Sequence, residues 1–318
     1  MIPTGVLLTF LIGAGLLVAG DPPPTIPLNV LAHKLRSEAR YHQSQGDYAE
    51  AEASARRLLA LLESNGLQDS LMGADALNDL AVICRLRDRL PEAESLNRRA
   101  LAIFRAASAS AQVAAATNNL GAVALAQGRW KEARGLYLQA IRLWQETAGP
   151  ESPEIAAGLT NLALLYQSRH EYGKATALVE RAMKIDSATY RPEHPRIALD
   201  LTNRAVLAAQ QKHYPEAESM LLRALRALET GLPPGHPDIG TTFGNLAEVY
   251  RLQRKYGDAE RSYRASVAIL EKVWGPDDRR LLPYFEYYAE VLRAREEYAE
   301  AAKADLRAVR IGVVHTLR

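Results

Sequence analysis

The sequence predicts an all-α protein, a right-handed α-solenoid of about seven helix-turn-helix units. Three observations carry that expectation. One alanine recurs at Ala51, Ala93, Ala133, Ala175, Ala217, Ala259 and Ala301, in steps of 42, 40, 42, 42, 42 and 42 residues. An aromatic or leucine stands three residues before each: Tyr48, Leu90, Trp130, Tyr172, Tyr214, Tyr256 and Tyr298. Between these marks apolar residues recur at spacings of three and four, the period of an amphipathic helix. A fixed period of this length means that each unit buries its face on the next, with no single central core.

Composition agrees with a folded chain and narrows the partners. The 318 residues are 48% hydrophobic and 24% charged, with a formal net charge of +2. That charge is too small to draw nucleic acid or anionic membranes by long-range attraction. The single cysteine, Cys84, excludes an intrachain disulfide and a multi-cysteine metal site. It reads as a small buried helix residue.

Taken in order, residues 1–20 read as a secretory signal peptide. Val6 to Ala19 is uncharged and apolar, and shorter than the roughly 20 residues a helix needs to span a bilayer. Val18 and Gly20 are small enough for the −3 and −1 sites of a cleavage, although Met1 to Gly5 carries no Lys or Arg. The alternative is an uncleaved membrane anchor formed by residues 6–20. Residues 21–27 form a Pro-rich spacer, and residues 28–318 form the solenoid of seven repeats, its first helical pattern beginning near Leu28.

Each unit reads as two helices, and the fourth shows the plan. Ser152-Pro153-Glu154 starts a helix, with serine as its cap, proline in the first turn and an acid beside the positive end. Leu159, Leu162, Ala163 and Tyr166 make its apolar stripe, and Ser168 to Glu171 makes a polar turn. Tyr172, Ala175, Val179, Ala182 and Ile185 make the stripe of the second helix. Helices approach closely only where side chains are small, so the recurring alanines set the helix-pair contact. A bulky residue there would overpack it by about 1–3 kcal/mol. The linkers after units three to five, Thr147 to Pro153, Arg191 to Pro195 and Pro233 to Pro237, share a proline-bearing design, and Trp274 to Asp278 is a variant. The link before unit three, Ala106 to Ala114, lacks proline and glycine and is two residues shorter.

These residues resemble tetratricopeptide repeats. Unit three supplies Leu120-Gly121, then Ala133, Tyr137 and Ala140; unit four supplies Leu162-Ala163, Tyr166, Ala175 and Ala182. The 42-residue period, the Asn-Leu-Ala pattern and the Gly-Pro-x-His-Pro-like linkers are similar to the repeats of kinesin light chains and their bacterial relatives. The resemblance covers about residues 28–312. It implies a groove role for Asn119, Asn161, Asn203 and Asn245, because in such repeats this position lines the concave face and can bond an extended peptide. A side-chain amide offers both donor and acceptor, which suits a peptide backbone. The other reading open for these asparagines is bonding within their own repeat or to its neighbour. Ser37, Asp79 and Tyr287 break the ladder in the outer units, which centres a peptide site on units three to six. Ala122, Leu164, Val206 and Glu248, three residues on, make a mostly uncharged wall. Lysine and arginine are absent from these positions in units three to six, so the carboxylate clamp of chaperone-binding members is not implied.

No phosphate loop, nucleophile elbow or HExxH motif is present. His194 and His236, 42 residues apart, each precede a proline at a helix start, so repetition explains them better than a metal. The expectation is a non-enzymatic module without cofactor that binds an extended peptide or partner tail, with protein as partner and no nucleic acid. The alternative is an assembly scaffold that self-associates through its ends or convex face, because Val313, Val314 and Leu317 follow Ile311 without a polar capping helix.

Overall fold

The helices fall where the punctuation of the sequence puts them. The computed structural model describes residues 27–316 and contains fourteen α-helices, with no strand among the described residues. They are α1 (Leu28–Ser44), α2 (Tyr48–Ser64), α3 (Leu71–Leu86), α4 (Leu90–Ala106), α5 (Ser110–Ala126), α6 (Trp130–Ala148) and α7 (Pro153–Ser168). There follow α8 (Tyr172–Thr189), α9 (Pro195–Gln210), α10 (Tyr214–Gly231), α11 (Pro237–Leu252), α12 (Tyr256–Trp274), α13 (Leu282–Ala294) and α14 (Tyr298–Thr316). Each odd helix pairs with the even helix after it, giving seven units. The expected signal peptide and residues 21–26 lie outside the described residues. Among those described, no helix is long and apolar enough to cross a membrane.

Every even helix begins on its marker aromatic or leucine, and the marker alanine three residues later is buried. Two residues before each even helix the backbone turns left-handed, at Gly46, Asp88, Gly128, His170, Lys212, Arg254 and Glu296. The next N–H then reaches back to the odd helix, as from Arg89 to the Cys84 carbonyl or from Lys255 to that of Tyr250, both at 2.8 Å. This turn satisfies orphan carbonyls at the helix end. Its repetition gives all seven pairs the same close geometry.

The caps depart from expectation in one place. Ser152 occupies the N-cap of α7, but its hydroxyl makes no capping bond and is buried without a partner. His194 and His236 do cap: their Nδ1 atoms accept the N–H groups of Arg196 and Asp238 at 3.1 and 3.2 Å. Cys84 is fully buried, and burial pushes its thiol up to about 11, out of the reactive range.

Stacking is uneven between the two layers. Odd helices of successive units touch at α3–α5, α5–α7, α9–α11 and α11–α13, and no pair of even helices makes a comparable contact. A stack that is tighter along one layer curves toward it, so the odd helices line the concave face. No comparable contact joins α1 to α3 or α7 to α9, the latter at the joint of units four and five. There the register position held by Phe104, Trp144, Leu228 and Leu270 is Asp186. The facing position held by Ala116, Gly158 and Thr242 is Asp200. Both acids are buried, and Arg196 Nε donates to Asp186 Oδ2 at 2.7 Å. Burial, and then the neighbouring Asp186, push the Asp200 carboxyl up to about 7, against the pull of Arg196.

The curvature brings the two ends together. Pro237, at the start of α11, packs on Gly46 in the α1–α2 turn, where a Cβ would lie 2.3 Å from Pro237 Cδ. His236 is buried and hydrogen-bonds the backbone of Ser44. Arg280 Nη1 donates to the Leu86 carbonyl at 2.7 Å while its guanidinium lies 4.3 Å from the Trp274 ring centroid. Tyr48 sits beside Asp238 and Arg280, and burial raises its hydroxyl to about 12. Unit one therefore stacks on unit six and unit two on unit seven, so about five units complete one superhelical turn.

Two predictions follow from these contacts. Gly46 and Gly128 both have positive φ, +77° and +74°, but a Cβ at Gly128 meets nothing within 4 Å. Alanine at either costs about 1 kcal/mol of backbone strain, and only Gly46→Ala adds an overpacking cost of about 1–3 kcal/mol. Thermal melts of both variants should show the larger loss at Gly46; equal losses would remove the closure contact. The raised Asp200 carboxyl keeps its proton in the folded chain from about pH 4 to pH 7, where the unfolded carboxyl has lost it. Stability should fall as pH rises through that window, with a slope approaching ~1.4 kcal/mol per pH unit, and level off above it. Asp200→Asn should remove the slope in melts between pH 5 and 8, and an identical slope in the variant would contradict the assignment.

Candidate functional site

The concave face follows from the odd helices, and the four asparagines sit on it half-buried, on α5, α7, α9 and α11. Their environments differ. Asn119 Nδ2 donates to Asn78 Oδ1 at 3.0 Å, and Asn161 Nδ2 donates to Asn118 Oδ1 at 3.1 Å. Those two amides tie each odd helix to the one before it, which is the inter-repeat bonding left open above. The residue that would receive the next bonds is threonine. Thr202 Oγ1 instead bonds the Ala198 carbonyl at 2.9 Å, and Thr160 Oγ1 is buried without a partner. Asn203 and Asn245 make no side-chain hydrogen bond among the described residues. Their amides keep a full complement of donors and acceptors.

Open space adjoins one of those free amides, Asn245. Val206, Asn245 and Glu248 share a pocket of about 190 Å³ with Leu252, which is 37% exposed. A second pocket, of about 200 Å³, lies on the other side of Asn245 and Glu248, between Gly244, Tyr284 and Tyr287. Gly244 is required there, because a Cβ would lie 2.3 Å from the Tyr284 ring. Leu164 is also exposed, at 39%, but lines neither pocket.

A rigid charged network forms the wall at this end. Arg251 forks onto both oxygens of Glu248 at 2.8 Å and reaches Glu290 at 2.8 Å. These bonds hold its guanidinium firmly charged. Tyr263 donates to Glu248 Oε2 at 3.0 Å, and burial keeps that hydroxyl protonated. Arg251 also lies 4.9 Å from the Tyr287 ring centroid. The ladder count treats Tyr287 as a break, but the ring stands in register with Asn245 and forms a pocket wall. The signal for it was present as an aromatic at a groove position. Tyr263 and Tyr284 carried no such mark, because each shares its register with core residues elsewhere.

The chemistry available is recognition: amide donors and acceptors, shallow apolar pockets and a fixed ion pair. Among the described residues no group of three or more His, Cys, Asp or Glu is placed to hold a metal ion.

Comparisons with known proteins place this geometry. The family model described as tetratricopeptide repeat matches residues 31–106, 112–188, 154–230 and 236–312. No curated protein matches the chain. Among solved structures, putative kinesin light chain repeats from Podosopora anserina are 21% identical, with a TM-score of 0.50 over 64% of this chain and 95% of that one. The apo form of RapI is 13% identical, with a TM-score of 0.62 over 90% of this chain and 99% of that one. A Rap protein complexed with Competence and Sporulation Factor is 12% identical, with a TM-score of 0.59 over 90% and 97%. At these identities the likeness is one of fold.

Proposed function

The chain belongs to the tetratricopeptide repeat family, and from that premise we propose that it holds an extended peptide or a partner's tail in its concave face. The family is in general a protein-interaction fold and not a catalytic one. The observation that carries the finer reading is the pair of unbonded amides, Asn203 and Asn245, one repeat apart on the concave wall, with open pockets beside Asn245. Amides spaced one repeat apart would bond peptide backbone, and Val206, Leu252 and Tyr287 would take apolar side chains. The fixed Arg251–Glu248 pair would set polarity at the C-terminal end. The Rap protein solved with Competence and Sporulation Factor is similar in fold and lends this reading support.

A second reading, assembly through the solenoid end, has its own observation. Leu306, Val309 and Val313 of α14 are 68%, 62% and 51% exposed and lie on one helical stripe. It predicts concentration-dependent association in light scattering that Leu306→Glu abolishes; a monomer at all concentrations would reject it.

For the groove, peptides selected from a displayed library on the full chain supply the probe. Asn203→Ala with Asn245→Ala should weaken a selected peptide roughly tenfold or more, since each hydrogen bond contributes about 1 kcal/mol, with helical circular dichroism unchanged. Undiminished affinity in the double variant would defeat the groove reading.

A further inference from the structure

The even-helix layer carries its own repeated acid contact at four joints; Thr176 takes the acid's place at the joint of units four and five, and Arg134 reverses its charge at the joint of units three and four. The residue after the marker alanine is Glu52, Glu94, Glu218 and Glu260 in units one, two, five and six. Each of these acids accepts from the turn of the next unit. Glu52 binds Arg87 and Arg89; Glu94 binds Gln127 and Arg129. Glu218 binds Gln253 and Lys255, and Glu260 binds Arg295. The acid is thus the anion that locks successive turns together. In unit three that position is Arg134, and the register partner of Arg87 and Arg295 is Arg169. Two guanidinium groups replace an acid and its partner.

A charge swap with Glu171 would restore balance, but no ion pair forms between Arg134 and Glu171 among the described residues. Glu171 is bonded by Arg169 at 3.0 Å and by Lys174, while Arg134 Nε turns to the Tyr166 hydroxyl at 3.2 Å. Lys131 and Arg134 have no acidic partner within ion-pair distance among the described residues. The joint opens into a pocket of about 290 Å³ lined by Trp130, Lys131, Arg134, Tyr166, Arg169 and Lys174, among others. Trp130 is 44% exposed, with Arg169 5.6 Å from its ring centroid. Four cations face one acid there, over two aromatic rings.

The same edge of the solenoid shows what such a surface accepts. In unit one the turn glycine Gly46 is buried under Pro237, with Asp238 beside Tyr48. In unit three the equivalent Gly128 is exposed and meets nothing, and Trp130 stands where Tyr48 stands.

We propose that the turn edge between units three and four docks an acidic segment of a partner protein, its carboxylates taking the place that Glu52, Glu94, Glu218 and Glu260 hold at four other joints. This surface is separate from the concave groove. Arg134, Arg169 and the two lysines bind the carboxylates, and Trp130 with Tyr166 covers the aliphatic stems.

Fluorescence anisotropy of a labelled hexaglutamate peptide on the full chain tests it, with hexaglutamine as the neutral control. Hexaglutamate should bind at least tenfold more tightly than hexaglutamine. Arg134→Glu, which restores the acid of four other joints, should cost at least tenfold. Arg226→Glu, an exposed reversal elsewhere, should change affinity less than twofold, as should the Asn203→Ala, Asn245→Ala pair. Equal binding of both peptides overturns the proposal, as does equal loss in Arg134→Glu and Arg226→Glu. A dimer seen by light scattering that Arg134→Glu abolishes, without hexaglutamate binding, gives the surface to a second copy and also overturns it.

Discussion

Close approach of two helices at a buried alanine is the constraint from which the rest of this molecule is built. Ala51, Ala93, Ala133, Ala175, Ala217, Ala259 and Ala301 are each essentially inaccessible. A methyl group at the contact lets the paired backbones approach closely, where a larger side chain would push them apart. The left-handed turn two residues before each even helix returns the chain at a constant angle. Identical pairs then stack with a nearly constant offset, and a constant offset accumulates into curvature. The concave face, its pockets and the contacts of units one and two with units six and seven are all consequences of repeating that one pair.

Against that regularity, the middle of the chain stands out. The joints at both ends are locked by a glutamate reaching the next turn and by apolar pairs such as Phe104 with Ala116. The joint of units three and four presents Arg134 and Arg169 instead, and the joint of units four and five buries Asp186 against Asp200. Charge that is neutralised elsewhere is left unbalanced in the centre. Buried acids sharing one arginine are costly, and at their joint, as between α1 and α3, the odd helices lack the contact made at the other four. The groove pockets, by contrast, sit over units five to seven, where Arg251, Glu248 and Tyr263 hold the wall rigid. That wall and the joint of the two buried acids are adjacent, so a ligand in the groove and a change at that joint act on neighbouring parts of one stack.

Much of this was legible in the residues. Helix starts, marker burial and the seven pairs follow from spacing alone, because helical period and small-residue contacts are local properties. The asparagine ladder was legible as a pattern but not as four equivalent groups. Asn119 and Asn161 find acceptors only because Asn78 and Asn118 stand on the preceding odd helix, whereas Asn203 and Asn245 face threonine there, Thr160 and Thr202. Tyr287 was legible as a departure and not as a wall, since its role depends on the Arg251 side chain folding over it. Ser152 sits at the predicted cap without capping, because the residue type satisfies the pattern while its buried hydroxyl makes no bond.

By itself the sequence determined the period, the helix pairs and the chemical character of each joint, because these depend on residues close in the chain or one repeat apart. The tertiary structure alone decided how far the stack curves, and so that Pro237 meets Gly46 and Arg280 meets Leu86 across 191 and 194 positions. Small offsets at each joint sum to that meeting, and no single spacing records the sum.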